Sequence, residues 1–270
     1  MEAQLVTVLM AEYNTPPVLL RTAIESVLAQ SERRFELLIV DDGSSTDVRS
    51  VVDELDDDRI RVVGYEENRG LVEALNYGLS FARGEFIARM DTDDRAEPDY
   101  LESVLAEFAH FPDFAVVSGQ AREVSDTGAT AILGQPGEIT PKLLMRGRAP
   151  IHPATIIRRR AIEAVGGYKN YYRAEDLALW CELLLAGYRL RILENIVCNY
   201  RVTIDDYRKR RLWKRRDEIR VRLRYYPQLG AGPVEYLRVV KSVVSGLLPV
   251  GMVRLIRSRI YRASIKEDAA

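Results

Sequence analysis

Residues 35–47 read Phe-Glu-Leu-Leu-Ile-Val-Asp-Asp-Gly-Ser-Ser-Thr-Asp, and the break in the middle of that stretch decides the fold. Phe35 to Val40 is an apolar run of the length expected for a strand buried on both faces. It stops at Asp41-Asp42-Gly43, which turns the chain, and Ser44 to Asp47 supplies cap residues for a helix. The same figure recurs on either side. Leu5 to Met10 stops at Ala11-Glu12-Tyr13-Asn14, and Glu85 to Met90 stops at Asp91-Thr92-Asp93-Asp94. Ile60 to Gly64 reads as a further strand. Helices fill the intervals. Pro16 and Pro17 suit the start of one that runs to Gln30, with Leu19, Leu20, Ala23, Ile24, Val27 and Leu28 at helical spacing. Asn68-Arg69-Gly70 opens another that reaches Ala82.

Strand and helix alternating in this way predict an α/β fold with a mostly parallel sheet covered by helices on both faces. Ligands of such sheets sit outside the carboxyl ends of the strands, so the three polar strand ends are expected to converge on one edge. The second half is less regular. Pro98 to Phe111 reads as a helix, Phe114 to Ser118 as a strand and 119–150 as a hairpin and loops. Ala154 to Ile157 reads as a strand, Glu175 to Ala186 as a helix and Leu190 to Tyr200 as one or two short strands.

Composition narrows the class. The chain has 270 residues, 47 % hydrophobic and 29 % charged, which excludes a disordered polymer or a collagen-like repeat. The formal net charge of −1 conceals an asymmetry: 1–199 carry 21 basic and 33 acidic side chains, and 200–270 carry 18 basic and 7 acidic. An acidic body and a basic tail suggest a polyanionic partner for the tail. Two cysteines, Cys181 and Cys198, make no disulfide framework, and with only His110 and His152 no Cys/His zinc site can form. The longest uncharged apolar stretch, 242–253, is twelve residues, where a spanning helix needs about 20. With no signal peptide at the N-terminus, a cytoplasmic location is expected.

The candidate chemistry lies in the acidic clusters. Asp91, Asp93 and Asp94 repel one another unless a cation neutralises them, and hard cations such as Mg²⁺ or Mn²⁺ bridge carboxylates to phosphates. Read alone, the cluster suits either a metal–diphosphate site or a solvated acidic turn. Asp41 and Asp42 can accept from a base or ribose or simply cap a turn. Tyr13 can stack on a base or pack the first turn, and Arg69 can meet phosphate or solvent. Glu175-Asp176 opens a helix and can supply a general base or merely favour the helix dipole. His152 precedes a strand.

Taken together, these segments resemble the family 2 glycosyltransferases. The matching residues run 6–14, 23–30, 35–47, Asn68-Arg69-Gly70, Ala74-Leu75-Asn76, 82–88, Met90-Asp91-Thr92-Asp93-Asp94 and 98–101. In the later half they are His152-Pro153-Ala154, Gly166-Gly167-Tyr168 and 174–180. The resemblance covers about residues 4 to 202. It implies a GT-A-like fold and an inverting transfer of a sugar from a nucleotide-sugar donor, most simply a UDP-sugar, to a saccharide or lipid-linked acceptor in polysaccharide, lipopolysaccharide or glycan biosynthesis. It also implies roles. Ala11, Tyr13, Asp41, Asp42, Arg69 and Asp91 would bind the nucleotide, with Tyr13 and Asp42 at the base and Asp91 at the ribose or sugar. Asp93 would ligate a divalent metal, Mn²⁺ or Mg²⁺. Asp176 would deprotonate the acceptor with Glu175 in support, and His152 would lie on the acceptor side. Two departures stand out: Glu12 occupies a place where the family has a small or apolar residue, and the Q-x-x-R-W motif of processive synthases is absent, so the enzyme is expected to be non-processive.

The resulting organisation is a catalytic domain over 1–203, with a nucleotide-binding half (1–97) and an acceptor-binding half (98–203), followed by a basic amphipathic helical extension over 204–270. Within 207–262, arginines and lysines interleave with Trp213, Leu223 and a valine-rich stretch. An anionic membrane surface is the expected partner, which would place the protein peripherally at the inner face of the cell membrane. The other readings are a charged helix packed on the domain and nucleic-acid binding, the latter not expected. Two alternatives to the transferase are a sugar-nucleotide nucleotidyltransferase, which would be expected to carry a Gly-rich phosphate loop after the first strand, and a non-catalytic membrane scaffold of the same fold.

Overall fold

The computed structural model describes residues 6–125, 128–203, 216–237 and 239–240. The first half is built from β1 (Val6–Glu12), α1 (Pro17–Leu28), β2 (Phe35–Asp42), α2 (Val48–Asp53), β3 (Ile60–Tyr65), α3 (Leu71–Phe81), β4 (Phe86–Arg89) and β5 (Arg95–Ala96). The second half adds α4 (Tyr100–His110), β6 (Phe114–Ser125), β7 (Gly128–Leu133), β8 (Gly137–Ile139), α5 (Pro141–Met145), a 3₁₀ turn over His152–Ala154, β9 (Thr155–Arg158), α6 (Arg159–Ala164), α7 (Glu175–Leu185), β10 (Arg189–Val202) and α8 (Arg216–Tyr225).

These strands form one sheet in the order β3-β2-β1-β4-β9-β6-β10-β5, with β7 on β6 and β8 on β10. The half expected to be parallel is parallel: β1 pairs with β2 and β4, and β2 with β3. β9 is antiparallel to both β4 and β6, and it welds the two halves together. The Leu190–Tyr200 region is a single 14-residue strand, β10, bulged around Ile192 to Cys198. Glu194 and Asn195 sit in the bulge, which is why the apolar pattern breaks there.

Strand alternation sorts the core into two layers. Val6, Val8 and Met10 of β1 face α1, α2 and α4, and Leu9 faces the α3, α6 and α7 side. Asp47 caps α2 by accepting from the Ser50 N–H at 3.0 Å. Gly78 lets α3 lie directly on the sheet: a Cβ there would stand 2.4 Å from a Leu9 methyl. α8 also joins the core, since Val221 and Tyr225 are buried with α7, and the Tyr225 hydroxyl donates to Glu182 (2.6 Å). Glu235, just beyond α8, pairs with Arg146 at 3.0 Å. The first and last parts of the basic segment, 207–215 and 241–262, lie outside the described residues. Among the described residues, no helix is long and apolar enough to cross a membrane.

Candidate active site

The carboxyl ends of β1, β2 and β4 do meet at one edge, and the polar loops there are knotted together. Asn14, in the left-handed region at φ 56°, accepts from the Ser45 backbone N–H at 2.7 Å. The Thr15 and Thr92 hydroxyls are 2.7 Å apart in a buried contact. Asp42 is buried and clasps the entrance of α3, accepting from the N–H groups of Arg69 (2.8 Å) and Gly70 (2.9 Å) and from Asn68 Nδ2 (2.9 Å). Asp41 accepts from the Ser44 N–H (2.9 Å), and Tyr13 stands open, 51 % exposed. Glu12 is buried. One of its oxygens accepts from the Thr15 N–H (2.7 Å), the other has no partner among the described residues, and burial pushes the carboxyl above its ordinary range.

Beside this edge lies a cavity of about 820 Å³. Arg69, Asp91, Asp93, His152, Glu175 and Asp176 all line it, although the chain separates the first from the last by more than a hundred residues. Ala11, Tyr13, Asp41 and Asp42 are not among the residues lining this cavity and lie on the neighbouring edge. Five further charged residues in the wall were not singled out in the sequence: Glu73, Arg89, Glu123, Arg173 and Arg201.

Arg89 organises the charge. It is 5 % exposed and ion-paired to Asp91 through Nη2, while Nε and Nη1 have no partner among the described residues. Burial opposes its charge, and Asp91 and Asp94 hold it on, leaving the guanidinium above its ordinary range. A lone arginine inside a buried strand costs several kcal/mol unless paired, and that was the available signal in Phe86-Ile87-Ala88-Arg89. Asp94 is buried and raised well above the carboxylate range, first by burial and then by Asp91. It accepts from the Arg201 N–H at 2.7 Å. Asp93 is 42 % exposed, with the Arg201 guanidinium 3.9 Å away.

In the same cavity, Glu175 and Asp176 occupy the first turn of α7. Burial, reinforced by Asp176, pushes Glu175 up to about 7. Asp176 is raised by burial too, and one of its oxygens accepts from the Leu177 N–H at 2.6 Å. His152 is buried with Nε2 2.9 Å from the Tyr168 hydroxyl. Burial holds the imidazole well below its ordinary pKa and therefore neutral.

Residues 7–166 match the model of glycosyl transferase family 2. The chain belongs to that family. The glycosyltransferase is 27 % identical over 271 residues to the UDP-Gal:α-D-GlcNAc-diphosphoundecaprenol β-1,3-galactosyltransferase of Escherichia coli, with 96 % of each chain covered. In fold it is similar to the Pyrobaculum calidifontis mannosyltransferase PcManGT in complex with GDP-Man and Mn²⁺ (TM-score 0.69, 20 % identity, 98 % of this chain and 84 % of that one). It is also similar to Staphylococcus aureus TarS 1–349 in complex with UDP-GlcNAc (TM-score 0.66, 17 % identity, 90 % and 71 %). The mixed sheet flanked by helices is the GT-A-like architecture expected from the sequence, and family membership sets aside the nucleotidyltransferase reading.

The donor set suits a hard divalent cation in this glycosyltransferase. Among the described residues no group of three or more His, Cys, Asp or Glu is arranged to hold a metal by itself. Mg²⁺-type ions, however, are commonly bound by one or two carboxylates with substrate phosphates completing the shell. Asp93 is 42 % exposed and lines the cavity, as does Asp91, which is paired with Arg89; Asp94 is buried.

Proposed function

We propose that the enzyme transfers a sugar from a nucleotide-sugar donor, a UDP-sugar, to a lipid-linked saccharide in the building of a surface polysaccharide. The observation that carries this reading is the cavity itself, in which Asp91 and Asp93 share a wall system with Glu175 and Asp176. A displacement at an anomeric carbon needs the leaving group on one side of the sugar and a base on the other. Two acidic clusters, one after β4 and one at the start of α7, line one cavity, and this supports the reading. The Escherichia coli relative, whose name gives UDP-Gal and a diphosphoundecaprenol acceptor, supports the substrate classes.

In this mechanism Tyr13 stacks on the base, with Ala11, Asp41 and Asp42 around it, Arg69 lies along the nucleotide and Asp91 meets the ribose or sugar. The acceptor oxygen bonds to the anomeric carbon as the bond from that carbon to the diphosphate oxygen breaks. Its proton passes to Asp176, the electron pair leaves with the nucleoside diphosphate, and the configuration inverts. Glu175 stands beside Asp176 in support, its own carboxyl raised by burial and then by the Asp176 charge. His152, neutral, orients the acceptor side. A divalent cation held at Asp93 with the diphosphate supplies neutralisation of the leaving charge when bound. The basic segment 207–262 would rest on the anionic membrane that carries the acceptor. Its excess of positive charge and the exposed Leu223 of α8 support this.

A panel of UDP-, GDP- and dTDP-sugars, scored by nucleoside diphosphate release with a lipid-diphosphate sugar acceptor, with and without Mn²⁺, tests the reading. Acceptor-stimulated release from one UDP-sugar is expected. Release from none of them overturns it.

A further inference from the structure

Four arginines line the cavity, and three are committed to protein partners. Arg89 is paired with Asp91, Arg201 lies 3.9 Å from Asp93, and Arg69 stacks over the Tyr65 ring at 4.3 Å. Arg173 is exposed, and no carboxylate among the described residues pairs with it, though Glu175 and Asp176 follow it closely in the chain and in the cavity wall. Its backbone is unusual as well. At φ 58° it sits in the left-handed region, which a non-glycine residue enters at a cost and which clusters at ligand sites. The turn is held in that shape from outside. The Tyr172 N–H donates to Asp217 of α8 at 3.1 Å, and Asp217 is itself buried and tied to Arg220 at 2.9 Å. Tyr172, 56 % exposed, lines the same cavity next to Arg173 in the chain.

We propose that Tyr172 and Arg173 form an acceptor-side diphosphate subsite. Arg173 binds the diphosphate through which the acceptor sugar is linked to its lipid, and Tyr172 packs against the neighbouring sugar. This rests on the reading of the acceptor as lipid-linked. The charge pattern is the reason for placing an anion here. The acceptor hydroxyl must reach Asp176 in a wall that carries two carboxylates, and only an uncommitted cation next to them lets an anionic acceptor approach. A guanidinium suits the task because its planar fork matches phosphate oxygens in pairs. The diphosphate could instead be the donor's, and the two sources are separable.

The test compares two synthetic acceptors bearing the same sugar and the same long alkyl tail, one joined through a diphosphate and one through a plain ether. Arg173→Gly removes the charge and relieves the left-handed backbone, so the variant is expected to fold at least as stably as the natural protein. It should raise KM for the diphosphate acceptor at least tenfold, while KM for the ether acceptor and for the donor stay within twofold. Arg173→Lys should recover part of the loss. Equal changes for both acceptors, no change, or a rise confined to the donor KM overturns the subsite. If the natural enzyme uses neither acceptor, calorimetry with decyl diphosphate decides: affinity at least tenfold weaker in Arg173→Gly retains the subsite and refutes only the acceptor assignment, and equal affinity refutes the subsite.

Discussion

The Arg89 guanidinium is ion-paired to the Asp91 carboxylate within the strand-to-loop junction that ends β4. Two residues apart, they turn a buried strand end into a charged site wall. The same positive charge pulls down the neighbouring carboxyls Asp94, Glu175 and Asp176, and it opposes protonation of His152. The two acidic groups of the cavity, 91–94 and 175–176, thus share one counter-ion.

Arg89→Met is therefore expected to destabilise the protein and to stop transfer together. Breaking a buried pair by removing one partner costs about 3–5 kcal/mol, here by leaving several acids without a counter-charge. Urea unfolding should show a markedly lower midpoint. Arg89→Lys should recover most of the stability, because the pair with Asp91 runs through a single nitrogen.

Asp176→Asn should lower kcat by about 10²- to 10⁴-fold, the usual worth of a general base, with the donor KM little changed. Steady-state kinetics check this. Residual turnover within tenfold of the natural enzyme would remove Asp176 from that role.

The pH dependence follows from Glu175. Its carboxyl is raised on folding from the ordinary value to about 7, so the folded protein holds a proton that the unfolded chain has released. Its contribution to stability is greatest below about pH 4.5, declines as pH climbs from there to about 7, and is flat above that. Glu175→Gln should flatten this slope and be more stable than the natural protein at pH 8, as urea midpoints across pH 5–8 would show. The acid limb of kcat/KM, which belongs to the coupled Glu175–Asp176 pair, should move to lower pH in the same variant.

Chelation should abolish turnover, and Mn²⁺ or Mg²⁺ should restore it. Asp93→Ala should not be rescued, and its UDP affinity by calorimetry should no longer depend on metal. Metal-dependent UDP binding in that variant would take Asp93 out of the metal site.

Asp42→Ala should open the entrance of α3, since three donors lose one charged acceptor. Hydrogen bonds to charged groups contribute about 1.5–3 kcal/mol, so a loss of about 3 kcal/mol in urea unfolding is expected. Nucleotide affinity should fall with it, because Arg69 is held by the same clasp.

Much of this was legible before any coordinates. β1, β2 and β4 are each an apolar run cut short by polar residues, and that local pattern suffices to place Asp41, Asp91 and their neighbours at one edge. The acid pair 175–176 was legible as chemistry through family resemblance, not through spacing. What stayed hidden depends on tertiary contact. Nothing local marks β9 as antiparallel, or β10 as one strand running through the bulge at Glu194-Asn195. Arg173 gains its significance from a backbone angle and from the partners its three fellow arginines take. Arg201 enters the cavity only because β10 returns to the loop after β4.

That return has a consequence for how the enzyme comes into being. The N–H that holds Asp94 lies 107 residues downstream of it, and among the described residues β5 pairs only with the far end of β10. A chain emerging from the ribosome therefore displays its acidic loop long before the strand that secures it exists. The wall of the cavity that Asp93 and Arg201 share is therefore complete only when almost the whole sheet is present.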